Sequence, residues 1–106
     1  MKNSFVMVVI TCSSKREAIS ISDSLLKKRL IACSNIIDKI ESKFWWNGSI
    51  NKAIETLVIC KTIGNNFKAV EKEVKKLHSY KVPEIIALPI ARLSKDYLHW
   101  IEDSVI

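Results

Sequence analysis

The feature that most constrains this chain is the order in which its hydrophobic periods change. Residues Ser4 to Cys12 carry Val, Ile and Met at successive positions, so both faces of the segment are apolar, as in a central strand. Ser14-Lys15-Arg16-Glu17 follows as a capping-box pattern, in which a hydroxyl and a carboxylate can satisfy reciprocal backbone amides. The spacing of Ala18, Ile21, Leu25, Leu26 and Leu30 then predicts a helix running to about Leu30. A long strand is expected from Ile31 to about Trp46. Its alternation holds over Ile40, Ser42, Phe44 and Trp46 but breaks at Ile36-Ile37, which predicts a bulge. Asn47-Gly48 signals a turn, and Ala53 to Thr62 reads as another two-faced strand. Asn65 or Asn66 is placed to cap a second helix with the stripe Phe67, Val70, Val74 and Leu77. A strand from Glu84 to Ile90 contains Pro89, which belongs at a sheet edge or strand end. Ser94 then caps a short helix whose Tyr97, Leu98, Ile101 and Val105 are expected to point inward.

The order β-α-β-β-α-β plus a terminal helix predicts an α+β fold of the ferredoxin-like kind, spanning residues 1–106 as one domain. Such a fold sets its helices against one sheet face and leaves the other without them. Trp45, Trp46 and the two-sided strands argue that this second face is not simply wet, so a symmetric oligomer is expected.

Composition narrows the function classes. The net charge of +6 raises nucleic acid or an acidic membrane surface as a partner. However, fourteen of the seventeen basic residues are lysine, spread along the chain, whereas base and phosphate readers favour arginine. Neither nucleic acid nor membrane is therefore expected. The third strand AIETLVICKT holds no aromatic residue on which bases can stack, and the loop CSSKRE after the first strand holds no glycine with which to cradle a phosphate. The run Phe5–Ile10 is too short for a signal-peptide core, and no segment approaches the roughly 18 apolar residues of a membrane span. A cytoplasmic location is the expectation.

Three cysteines at wide spacing, Cys12, Cys33 and Cys60, form neither a disulfide framework nor a CxxC zinc pattern, and read first as small buried hydrophobes. The two histidines, His78 and His99, show no obvious carboxylate to orient them, so a nucleophile–base arrangement does not assemble. A metal site is the stronger chemistry. His78 ends the second helix on its apolar side, and a thiolate with an imidazole suits copper or zinc. Cys12 and His78 are expected at opposite ends of the subunit, so that a Cys12–His78 pair forms across a subunit boundary.

Several segments then carry a pattern. Ala32-Cys33-Ser34-Asn35-Ile36, Trp45-Trp46-Asn47-Gly48, Lys61-Thr62, HSYKVPEIIALPI from His78, and Tyr97-Leu98-His99-Trp100 stand in order across nearly the whole chain. Together they resemble the CutA divalent-cation tolerance family. The resemblance implies a ferredoxin-like subunit in a compact homotrimer, similar in architecture to the PII signalling proteins. It also implies loose association with copper and other divalent cations, through a first-strand cysteine and a histidine at the position of His78. On this resemblance Cys12 lies about two residues beyond the family cysteine, a shift of roughly 6–7 Å along a strand. Two further departures are Ser79 in place of a usual proline, and Lys81, whose charge disfavours a nearby cation.

The expectation is therefore a homotrimer that binds a divalent cation such as Cu(II) weakly, with no cofactor required for folding and no catalytic turnover. Its metal candidates are His78 and Cys12, with Cys33 weaker. The competing reading is a PII-like signalling or scaffolding trimer holding a small anionic ligand in an inter-subunit cleft lined by Lys61, Tyr80, Glu84 and Trp46, with Lys81 adding charge.

Overall fold

The computed structural model describes residues 4–106, so the first three residues of the expected domain 1–106 lie outside the described residues. Strand β1 (Phe5–Cys12) leads to helix α1 (Lys15–Lys27), and the hairpin strands β2 (Cys33–Trp46) and β3 (Ser49–Ile63) follow. A 3₁₀ turn at Gly64–Asn66 then precedes α2 (Phe67–Leu77), β4 (Ile85–Pro89) and α3 (Lys95–Ser104). The sheet order is β2-β3-β1-β4 with every neighbour antiparallel, the ferredoxin-like arrangement expected from the element order.

Alternation along β1 decides which layer each side chain joins. Val8, Ile10 and Cys12 are fully buried against Ile21 and Leu25 of α1 and Val70 and Val74 of α2, with Val58 and Cys60 of β3. Phe5 has the opposite parity. With its register partner Ile63 it packs instead against Ile101 of α3, with Leu98 and Val105 beside them. Helix α3 thus covers one end of the sheet face expected to lack helices, which corrects that expectation. Tyr97 is exposed rather than inward.

Element ends follow local chemistry. Ser14 Oγ accepts the Glu17 amide at 3.1 Å, as the capping pattern predicts. The Glu17 carboxylate, however, takes the amide of Ser13 (2.9 Å) and not that of Ser14. Helix α1 stops at Lys27, short of Leu30. Arg29 adopts φ 57°, and Leu30 N–H returns to Leu25 O while Arg29 N–H returns to Leu26 O, a Schellman closure. Asn66 precedes α2 but does not cap it through its side chain; its amide nitrogen donates to Leu30 O and Thr62 Oγ1.

The β2–β3 register breaks between Ile37 and Ile40, next to the predicted Ile36-Ile37 position, with Lys39 at φ 58°. Trp46 pairs with Ser49 across Asn47 (φ 51°) and Gly48 (φ 75°). That is a two-residue loop with both central residues left-handed, so β3 begins four residues before the expected Ala53. Because β1 ends opposite Thr56, the hairpin beyond that level projects past the rest of the sheet.

Candidate metal centre and adjoining cleft

Strand β1 and helix α2 finish at the same end of the molecule. Strand β3 runs antiparallel to β1, so α2 starts beside the beginning of β1 and climbs back along it. The expectation that Cys12 and His78 lie at opposite ends is thereby corrected: they meet inside one subunit. Cys12, Glu17 and His78 each offer a ligand atom, all within 4.8 Å of one another. The supposed offset of Cys12 along its strand does not separate it from the imidazole. Nor does His78 lack a carboxylate, since Glu17 Oε1 lies 3.7 Å from its Nδ1.

Each member is held firmly. The His78 side chain is fully buried; its Nε2–H donates to the Thr11 carbonyl at 2.7 Å and its Nδ1 accepts the Tyr80 amide at 3.0 Å. Both ring nitrogens are thus engaged in the neutral tautomer. Glu17 accepts from Ser13 N–H and Oγ–H through Oε1, and from Ser79 N–H (2.8 Å) through Oε2. Burial pushes the Glu17 carboxyl up, but these hydrogen bonds from Ser13 and Ser79 outweigh it and hold the group below its usual range. Burial is also the main cause that pushes the Cys12 thiol up to about 12, with Glu17 and Glu55 adding to it. The thiol therefore stays protonated at neutral pH.

The other cysteines stand elsewhere. Cys33 lies on the opposite sheet face, roughly 17 Å along the strands from the level of Cys12, with its Sγ 3.4 Å from the Tyr97 hydroxyl. That contact, followed by burial, pushes Tyr97 up to about 12. Cys60 is buried in the core, where desolvation pushes it up to about 12. Among the described residues, none of the three is in a disulfide.

Beside the Cys12–Glu17–His78 cluster opens a cleft of about 740 Å³, between the segment Ser79–Glu84 and the projecting hairpin, along which it runs from Glu55 to Trp46. It gathers Tyr80, Glu84 and Trp46, three of the four residues expected together, with Lys81 also lining it. Lys61 is not among them; it pairs with Cys33 and Met7 toward the far end of β1 and hydrogen-bonds Asn35 Oδ1. The cleft also contains Glu55, which is 6% exposed and accepts the Tyr80 hydroxyl at 2.7 Å. Burial, and then this hydrogen bond and charge, push Tyr80 up to about 12.

Sequence reasoning passed over Glu17 and Glu55. Glu17 was absorbed by its helix-capping role, although five residues after a strand-end cysteine is one loop's reach. Glu55 had a clearer signal, as the single carboxylate of its strand, set in the run Ala-Ile-Glu-Thr-Leu-Val-Ile.

The family model described as CutA1 divalent ion tolerance protein matches residues 6–104. A divalent-cation tolerance protein CutA of Archaeoglobus fulgidus is 46% identical over 98 residues, covering 92% of this chain and 95% of that one. The corresponding protein of Thermus thermophilus is 39% identical over 98 residues, with the same coverage of both chains. The solved structure of the Archaeoglobus fulgidus protein, described as a periplasmic divalent cation tolerance protein, superposes with a TM-score of 0.94 at 44% identity, over 96% of this chain and 99% of that one.

Proposed function

The chain belongs to the CutA1 divalent ion tolerance family, and from that premise we propose that it is a homotrimer that binds a divalent cation such as copper weakly, within a metal-tolerance response and without catalytic turnover. One observation carries the reading: a thiol, a carboxylate and an imidazole whose donor atoms lie within 4.8 Å of one another. Sulfur and nitrogen donors with one carboxylate suit Cu(II) or Zn(II) rather than Ca(II) or Mg(II).

The donor set fits a cation, at a cost that explains weak binding. The Cys12 proton has to leave a thiol whose pKa burial has pushed to about 12. His78 has to surrender either Thr11 O or the Tyr80 amide. Glu17 has to turn at least one oxygen from the serine amides. The hydrogen bonds that His78 and Glu17 already make within the chain support folding without an ion. The three unpaired thiols support the cytoplasm as the compartment.

Self-association is supported by the hairpin, whose Trp45 (73% exposed), Ile50 (64%) and Ile54 (61%) leave a broad apolar surface on one chain. Calorimetric titration of reduced protein with Cu(II) and Zn(II) tests the metal reading. Wild type should bind, and Cys12→Ser and His78→Ala should each bind at least tenfold more weakly. Equal binding by all three refutes it. Light scattering should give about three times the 12.1 kDa of one chain, and a monomer refutes the trimer.

A further inference from the structure

The cleft beside the hairpin has a charge pattern that selects its ligand. Its buried charge is Glu55, on β3 where the hairpin leaves the sheet. Oε2 is committed to the Tyr80 hydroxyl; Oε1 has no hydrogen-bond or ion-pair partner among the described residues. That oxygen opens to the cleft, where water or a ligand's donor meets its lone pairs. The lysines that line the cleft, Lys43 and Lys81, are exposed, where water and salt screen them, and Glu84 balances one of them at the same surface. The walls are Phe44 and Trp46, whose ring faces attract a cation and cover an apolar body.

We propose that this cleft binds a primary alkylammonium group, its N–H donors directed to Glu55 Oε1 and its hydrocarbon part lying against Phe44, the aromatic wall nearer Glu55 along the hairpin. An anionic ligand is disfavoured, because it would bring its charge to a buried carboxylate while the compensating lysines stand outside. The ammonium has two possible sources, a free small amine or the side chain of a lysine from a second copy of the chain. The site adjoins the Cys12–Glu17–His78 cluster through Tyr80, but Glu55 is not one of its donors, and Zn(II) titration of Glu55→Gln beside the amine titration reads the two sites separately. A failure here is therefore distinguishable from a failure of metal binding.

Three probes of equal length separate the possibilities: hexylammonium chloride, sodium hexanoate and hexanol, titrated by calorimetry into the assembled full chain at pH 7. Hexylammonium should bind at least tenfold more tightly than either of the others. Glu55→Gln should lose at least tenfold of that affinity while Lys81→Met loses none. Phe44→Leu, on an exposed wall residue, should weaken binding several-fold and serves if the Glu55 variant does not fold. Where the ammonium comes from a neighbouring chain, the free amine does not bind; Glu55→Gln instead lowers the light-scattering mass on dilution. Hexanoate binding as tightly as hexylammonium overturns the proposal. So does amine binding indifferent to Glu55→Gln and Phe44→Leu, or no amine binding together with an assembly that Glu55→Gln leaves unchanged.

Discussion

Glu17 joins three parts of the molecule, so its replacement by Gln tests whether the Cys12 end of the fold is held by a charge. One carboxylate oxygen takes the Ser13 amide and hydroxyl and the other takes the Ser79 amide, tying the loop before α1 to the turn after α2. Glutamine keeps the shape but offers a single acceptor oxygen, so one of the two amides faces an NH₂ group instead. Hydrogen bonds to a charged acceptor contribute roughly 1.5–3 kcal/mol each. Ser13 and Ser79 are exposed, so water rescues part of the stranded amide and the low end of that range applies. Loss of negative charge in the first helical turn adds roughly 0.3–1 kcal/mol. Glu17→Gln should therefore cost about 2 kcal/mol at pH 7.

The sign of the pH dependence supplies a second check. Glu17 is held below its usual range in the folded state, so the unfolded chain binds its proton more readily. The stabilisation is present above the usual glutamate pKa and is lost as pH falls through the lower folded value. The charged or titratable neighbours are His78 at 3.7 Å and the Cys12 thiol, and the latter stays neutral throughout this range. Urea denaturation at one fixed protein concentration, at pH 7 and pH 3, measures both quantities, since urea leaves charges unscreened and fixed concentration removes mass-action effects. The difference between wild type and Glu17→Gln should fall from about 2 kcal/mol toward zero. A loss below about 0.5 kcal/mol at pH 7, or an equal loss at both pH values, refutes the assignment of a charge-dependent tie.

Two further predictions use the same denaturation assay. Leu25 is fully buried between α1 and the sheet while its neighbour Leu26 is 39% exposed, so Leu25→Ala should cost about 2–5 kcal/mol and Leu26→Ala less than about 1; equal losses would contradict the helix phase. Lys39 sits at φ 58° in the β2 irregularity, a conformation costing a side-chain-bearing residue roughly 1–2 kcal/mol. Offset by the flexibility of glycine, Lys39→Gly should be neutral or stabilising by up to about 1 kcal/mol, and a clear destabilisation would mean the Lys39 side chain has a structural role.

The fold was legible because its periods are clean. Phe67, Val70, Val74 and Leu77 mark α2 at three- and four-residue steps, and the helix observed is Phe67–Leu77. The errors fall where local chemistry overrides pattern. Helix α1 ends early because Arg29 turns left-handed, which no apolar count reveals. Strand β3 starts early because Ser49–Lys52 is recruited by pairing with β2, its exposed Ile50 and mixed polarity giving no strand period of its own. The terminal helix crosses to the second face because Phe5 and Ile63, on alternate parity from the main core, need a cover.

The site was legible in its types but not in its grouping. Cys12 and His78 stood out as soft donors, yet bringing them together requires the direction of α2 relative to β1, which depends on counting antiparallel reversals and not on spacing. Lys61 and Tyr80 seemed natural companions as polar residues beside apolar strands, but six positions separate Lys61 from the level of Glu55, roughly 20 Å along a strand. Glu55 shows what this kind of reading can recover. A carboxylate in the run Ala-Ile-Glu-Thr-Leu-Val-Ile is too costly to bury without a partner, so its presence implies one. Half of that partnership is the Tyr80 hydroxyl at 2.7 Å, contributed by the segment that also supplies His78. Tyr80 gives its amide to the imidazole and its hydroxyl to the carboxylate, so the metal candidate and the cleft share one residue as a common wall.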